Sequence, residues 1–121
     1  MRQIKFRAQD IASNKWLYGD LRYHKDDVCI FEQDGNKGEQ VKRDTIGQFV
    51  GLKDKNGKEI YEGDIIACEQ KQYVCEYVEG GFEFKDLSDG RLILKAIVIH
   101  SHIIGNIHDN PDLIYIPSNK E

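Results

Sequence analysis

The stretch GLKDKNGKEIYEGDII, residues 51–66, decides the fold because it places a turn signal between two strand-forming segments. Asn56 and Gly57 predict a type I′ hairpin turn, since both residues tolerate the positive φ that such a turn needs at its two central positions. Apolar and β-branched residues precede this pair, and Ile60 and Tyr61 follow it. The stretch therefore predicts short antiparallel strands joined by tight turns.

Apolar and polar residues alternate, with a period of two, through most of the chain. Ile4, Phe6 and Ala8 alternate with polar residues, and turn signals recur about every eight to twelve residues. This pattern predicts a mainly β fold, either a small SH3-like barrel or a β-sandwich of short antiparallel strands with one or two short helical turns. Residues 92–99 are compatible with a strand or a helix, and their β-branched content favours a strand. Asn110-Pro111 predicts one helical turn near the end of the chain.

Size and composition indicate one domain over residues 1–121, with residues 116–121 as a flexible tail. The net charge of -4 is uneven, because residues 1–58 carry 12 Lys/Arg against 9 Asp/Glu and residues 59–121 carry 5 against 12. The acidic second half disfavours general DNA binding. No apolar run reaches the ~18 residues of a membrane span, and the alternating start does not resemble a signal peptide. We therefore expect a cytoplasmic protein without a membrane partner.

Aromatic residues are the main lead to a binding surface. The chain has six tyrosines and one tryptophan, more than a small core buries with satisfied polar groups. Small β-barrels use exposed aromatic residues to hold peptides or bases. We predict that Trp16, Tyr18 and Tyr61 contribute to a recognition face.

Two other kinds of site compete with this interpretation. A nucleic-acid interface would use the basic residues of the first half, which are Arg2, Arg7, Arg22, Lys42 and Arg43. A metal-assisted hydrolase would use His100 and His102, whose spacing places both on one face of a strand. No carboxylate accompanies these histidines at ligand spacing, and Cys29, Cys68 and Cys75 match no zinc motif. The sequence thus favours a protein without a cofactor and without a catalytic set.

Three motifs together carry a family resemblance. They are Ile4-Lys5-Phe6-Arg7-Ala8, the stretch 51–66, and the segment from Ile104 to Leu113. In these motifs the chain resembles the YopX family of small phage and prophage proteins. The resemblance implies an SH3-like, β-rich fold and action in the cytoplasm of a bacterial host. It implies no reaction, ligand or catalytic residue.

The combined observations predict a phage- or prophage-encoded accessory protein that acts as a non-enzymatic protein-binding module. Its expected partner is a host or phage protein. A nucleic-acid-binding module is the first alternative, and the hydrolase around His100 and His102 is the second. Self-association is a further expectation, because short sheets with open edges pair readily.

Overall fold

The computed structural model describes residues 3–32 and 38–114. The chain divides into two compact units, Met1–Phe49 and Val50–Glu121. The expectation of a single domain over residues 1–121 stays a prediction. The expected flexible tail, residues 116–121, lies outside the described residues, and so does Arg2.

The first unit is an antiparallel sheet in which β1 lies between β2 and β5, β3 pairs with β2, and β4 pairs with β3. Its strands are β1 Phe6–Gln9, β2 Trp16–His24, β3 Asp27–Phe31 and β4 Glu39–Gln40, together with the beginning of β5 Gly47–Lys53. A 3₁₀ turn at Arg43–Thr45 precedes β5. Phe6 and Arg7 pair with Gln48 and Gly47, so β5 joins the sheet at the edge of β1.

One face of this sheet covers the core of the first unit. The buried residues Ala8, Val28, Ile30 and Val41 form that core. Four partly buried apolar residues pack around them, which are Phe6, Leu17, Leu21 and Ile46. Because strand side chains alternate between faces, Arg7 on β1 and the residues of β2 next to Leu17 point to the opposite face.

The second unit contains a four-stranded antiparallel sheet with the order β10-β7-β8-β9. The strands of this unit are β6 Glu59–Tyr61, β7 Asp64–Cys68, β8 Lys71–Val78, β9 Gly81–Asp86 and β10 His102–Asn106. Strand β6 is the neighbour of β5. The core of the unit comprises Ile60, Ile66, Cys68, Tyr73, Cys75, Phe84 and Val98. The predicted mainly β fold with short antiparallel strands and short helical turns is confirmed, and the described strands form open sheets rather than a closed barrel.

The central hairpin lies where the sequence predicts it, but its turn has a different conformation. Gly57 alone of the pair has positive φ, at 81°. The Gly57 N–H donates to the Asp54 carbonyl and the Asp54 N–H to the Lys58 carbonyl, both at 2.9 Å. This is the three-residue loop that ends in a left-handed glycine. The expectation of positive φ at Asn56 was wrong because Asp54 organises the turn through its own side chain.

Two other turns of the second unit do have positive φ at two successive residues. Glu69 and Gln70 have φ of 51° and 68° between β7 and β8, and Glu79 and Gly80 have 47° and 86° between β8 and β9. The first of these pairs contains neither asparagine nor glycine, so the sequence carried no signal for it.

Residues 92–99 do not form the expected strand. Leu92 makes an isolated bridge to Lys85, and a 3₁₀ helix follows at Lys95–His100. The chain is held there by a bond from the Ile93 N–H to the Phe84 carbonyl, at 3.1 Å. The final helical turn is confirmed as a 3₁₀ helix at Pro111–Ile114.

Candidate functional site

The outer face of the first sheet brings rings and guanidinium groups together. The register pairs Arg7 with Tyr18, Gln9 with Trp16 and Asp20 with Phe31. Residues directly opposite each other in neighbouring strands point to the same side of a sheet. We call the surface formed by Arg7, Trp16, Tyr18, Arg22 and Phe31 the aromatic–cation face.

Two guanidinium groups on this face stack on rings. The Cζ of Arg7 lies 4.6 Å from the centre of the Trp16 ring, and the Cζ of Arg22 lies 4.2 Å from the centre of the Phe31 ring. Significant contacts of this kind occur about once per 70–80 residues. Two on one face of three short strands therefore form a local concentration of planar groups.

The arginines of the two pairs differ in exposure. Arg7 is only 5% exposed, so its charge is largely removed from water and its stacking on Trp16 is correspondingly strong. Arg22 is exposed, and its guanidinium lies 3.9 Å from the Asp20 carboxylate. The face consequently has one rigid pair and one solvated pair, and it presents a carboxylate beside its exposed cation.

The three aromatic residues predicted for the recognition face do not lie together. Trp16 is half-buried and Tyr18 is 43% exposed, and both belong to the aromatic–cation face. Tyr61 is only 2% exposed, and its hydroxyl donates to Glu59 Oε1 at 3.1 Å. The expectation of Tyr61 on an exposed surface was wrong, because its side chain on β6 is buried.

Phe31 is the ring that the sequence reasoning missed. It follows Val28 and Ile30 at the end of β3. Gly38 leaves room for it: a Cβ at that position would lie 2.4 Å from the Phe31 ring. The signal that identifies Phe31 is the pairing of β2 with β3, which depends on the register and is not encoded in local alternation.

The four described basic residues considered for nucleic acid lie in two places of the first unit, with Arg7 and Arg22 on the aromatic–cation face and Lys42 and Arg43 at a cleft. Lys42 and Arg43 line a cleft of about 360 Å³ whose wall also includes Asp26, Asp27 and Asp44. The Arg43 guanidinium donates to the Asp26 carbonyl at 2.5 Å. Carboxylates therefore lie beside the basic residues of this cleft, as Asp20 lies beside Arg22.

The centre of the 51–66 stretch is organised by one buried carboxylate. Asp54 Oδ1 accepts hydrogen bonds from the Asn56 and Lys58 N–H groups, both at 2.9 Å, and Oδ2 accepts from the Ile103 N–H at 3.0 Å. Desolvation raises the pKa of Asp54, but the three backbone donors outweigh it and the pKa lies below its usual value. All three bonds hold structure, so this carboxylate is a turn and strand clamp.

A family model described as YopX protein matches residues 5–115. This chain belongs to the YopX family. A crystal structure of protein EF1440 from Enterococcus faecalis also resembles it, with a TM-score of 0.65 and 23% sequence identity over 95% of this chain and 100% of that one. At this identity the likeness shows the fold alone. No curated protein matches the chain.

The closing motif of this YopX-family chain is a network of asparagine side chains. Asn106 Oδ1 accepts from the His108 and Asp109 N–H groups, both at 2.9 Å. Asn110 Oδ1 accepts from the Asn106 N–H at 3.1 Å. The side chain of Asn110 thus turns back to β10. The side chains of Asn106 and Asn110 therefore hold the backbone of this motif.

The two histidines proposed for a metal lie in different elements. His100 ends the 3₁₀ helix and is exposed, whereas His102 begins β10 and is half-buried. The expectation that they share one face of a strand was wrong. Within residues 3–32 and 38–114, no group of three or more His, Cys, Asp or Glu side chains is placed to hold a metal ion. In the same residues, no helix has the length and apolar character needed to cross a membrane.

Proposed function

We propose that this YopX-family chain is a non-enzymatic protein-binding module, encoded by a phage or prophage and acting in the cytoplasm of a bacterial host. Its recognition surface is the aromatic–cation face, and its partner is a host or phage protein. The observation that carries the proposal is the stacking of Arg7 on Trp16 beside the exposed ring of Tyr18.

The composition of the face is the one that protein interfaces use for their strongest contacts. Tryptophan, tyrosine and arginine are enriched among the residues that dominate binding energies. The buried Arg7 holds Trp16 in place before any partner arrives, so little side-chain entropy is lost on association. Tyr18, opposite Arg7 in the register, supplies an exposed ring next to this fixed pair.

A single-stranded nucleic acid is the second candidate, because bases stack on aromatic rings and on guanidinium planes. The charges of the first unit weaken this candidate. Residues 1–49 contain 9 Lys/Arg and 8 Asp/Glu, a net charge of only +1. Arg7 is buried and Arg22 lies beside Asp20, so the face offers phosphates few available cations.

Affinity capture from host lysate, with and without nuclease treatment, tests the proposal. The tagged chain should retain a specific protein in both arms, and Tyr18→Ala should weaken the purified interaction at least tenfold, the loss expected when a hot-spot ring is truncated. Tyr23→Ala is the matched control. Tyr23 is an exposed tyrosine on the same strand, but it pairs with the buried Val28 and therefore belongs to the other face.

Two results would overturn the protein-binding proposal. Equal affinity of Tyr18→Ala and Tyr23→Ala would remove the aromatic–cation face from recognition. Capture that nuclease abolishes, together with salt-dependent binding of the purified chain to single-stranded DNA or RNA, would assign the face to nucleic acid instead.

A further inference from the structure

The turn of the central hairpin contains a chemically reactive pair of residues, Asn56 and Gly57. No other asparagine of the chain is followed by glycine. Both residues of the pair are exposed. Because glycine has no side chain, its backbone nitrogen can approach the preceding side chain with little steric hindrance. The pair therefore combines an exposed side-chain amide with an unhindered backbone nucleophile.

The reaction open to this pair is deamidation. The Gly57 nitrogen loses its proton and attacks Cγ of Asn56, a C–N bond forms, and the side-chain nitrogen takes up a proton and leaves as ammonia. Water then opens the resulting succinimide ring at one of its two carbonyl groups, which gives aspartate or isoaspartate. The reaction consumes only water and releases ammonia, and no oxidation state changes.

The folded turn opposes this reaction through Asp54. Its Oδ1 accepts hydrogen bonds from the N–H groups of Asn56 and Lys58, both at 2.9 Å. Its backbone carbonyl accepts from the Gly57 N–H, also at 2.9 Å. One residue thus holds three successive N–H groups. Attack on Cγ requires a rotation of the Asn56 backbone that turns the Gly57 nitrogen towards the Asn56 side chain, and this rotation breaks the bonds of Gly57 and Lys58.

The charge of Asp54 acts in the same direction as its hydrogen bonds. The attacking nitrogen of Gly57 becomes negative when its proton leaves. The Asp54 carboxylate binds the N–H groups on both sides of that nitrogen, so the new charge would form close to an existing one of the same sign. Removal of the carboxylate therefore removes both an obstacle to rotation and a source of repulsion.

We propose that Asn56 is a site of spontaneous deamidation whose rate is controlled by Asp54. The amide is retained while the turn is closed, and it converts to aspartate or isoaspartate when the turn opens. Isoaspartate leads the backbone through the side-chain carbon and lengthens the loop, which separates the N–H groups that share Asp54 Oδ1. Because Oδ2 of the same carboxylate binds the Ile103 N–H at 3.0 Å, the modification also weakens the connection of the turn to β10.

Peptide mapping by mass spectrometry, during incubation of the full-length chain in mildly alkaline buffer, tests the proposal. Conversion of an amide to an acid changes the mass of a peptide, whereas isomerisation at Asp34-Gly35 or Asp89-Gly90 does not. Asn56 should convert at least about tenfold more slowly in the folded chain than in the urea-unfolded chain, since the rotation first breaks hydrogen bonds. Asn14, which is exposed but followed by lysine, should keep its amide in the folded chain.

Asp54→Ala should raise the rate at Asn56 at least about tenfold in chains that circular dichroism shows to be folded. Lys55→Ala alters an exposed side chain of the same turn and should leave the rate unchanged. Gly19→Ala is the control for general destabilisation, because its Cβ would lie 2.2 Å from the Phe31 backbone oxygen in the first unit. It should not accelerate the reaction. The comparison of the folded with the urea-unfolded chain needs no variant.

Three results would overturn the proposal. Equal rates at Asn56 in the folded and the urea-unfolded chain would show that the turn gives no protection. Equal rates in folded Asp54→Ala and Lys55→Ala would show that Asp54 does not control the reaction. Acceleration by Gly19→Ala as large as that by Asp54→Ala would assign the reaction to general unfolding of the chain.

Discussion

Replacing Asp54 should destabilise the second unit more than truncating any other side chain of the turn at residues 54–58, because those other residues are exposed. Its carboxylate accepts from Asn56, Lys58 and Ile103, and the bond to Ile103 spans 49 residues of sequence. Asp54→Ala removes all three hydrogen bonds at once. The turn and β10 then lose the side chain that joins them.

The structure sets the size of the effect. Ile103 is half-buried, so its N–H would lose its acceptor at a cost of about 1–3 kcal/mol. Asn56 and Lys58 are exposed, and water can replace the carboxylate there at a cost of about 0.5–1 kcal/mol for each bond. Asp54→Ala should therefore lower the free energy of unfolding by about 3 kcal/mol, which leaves a typical domain folded but reduces its melting temperature by roughly 10 °C.

The stability that Asp54 contributes should also change with pH, in a definite direction. Burial raises the pKa of Asp54, but hydrogen bonds from Ile103, Lys58 and Asn56 outweigh it, so the folded pKa lies below the ordinary aspartate value of 3.8. The carboxylate therefore stabilises the fold above about pH 4, near the unfolded pKa, and this contribution is lost as the pH falls through the folded pKa. Asp54→Asn should remove this part of the acid dependence.

Urea denaturation followed by far-UV circular dichroism, repeated over acid and neutral pH, measures both effects. Lys55→Ala is the matched control: its side chain is exposed in the same turn, and the bond from the Lys55 N–H to the Ser101 carbonyl, at 2.8 Å, uses only backbone atoms. If Asp54→Ala and Lys55→Ala differed by less than about 0.5 kcal/mol, the role of Asp54 as a clamp would be refuted.

Three further changes test the packing and the charges. Gly19→Ala should lower the free energy of unfolding by at least about 2 kcal/mol, because its Cβ would lie 2.2 Å from the backbone oxygen of Phe31; thermal unfolding measures this. Gly38→Ala should cost less in the same assay, since its Cβ meets only the Phe31 ring, at 2.4 Å, and that ring can rotate; an equal or greater loss would contradict this. Ser88→Ala should raise the pKa of Asp86 from about 2, because it removes the Ser88 hydroxyl that donates to that carboxylate at 2.7 Å and leaves only the bond from the Ser88 N–H; carboxyl NMR titration measures the change.

The position of the central hairpin was predictable from Asn56-Gly57, but its turn type was not. Type I′ geometry is the intrinsic preference of that dipeptide. Here Asp54 binds the N–H groups of Asn56 and Lys58 and also reaches Ile103, so a contact from β10 helps to select the conformation. Local propensity does not contain that contact.

Residues 92–99 were ambiguous for a related reason. Their apolar residues fit both a strand and a helix, and only the neighbouring backbone distinguishes them. Ile93 is bonded to Phe84 at the edge of β9, after which Val98 turns into the core and its aliphatic neighbours remain exposed. A sequence pattern that counts apolar residues assigns all of them to a core, so it could not reveal which of them remain exposed.

Part of the candidate recognition face was predictable from the sequence. The aromatic residues on β2 follow from strand alternation, whereas their contact with Arg7 depends on strand register. Alternation along β2 places Trp16 and Tyr18 on one side of the sheet, and this follows from the period of a strand alone. Their partner Arg7 depends on the register between β1 and β2, which is set by burial of Ala8 and Leu17 on the opposite side. The core of the first unit therefore determines which cation meets which ring. A substitution that shifted this register by one residue would exchange the two faces, and the stacking of Arg7 on Trp16 would be lost together with the core.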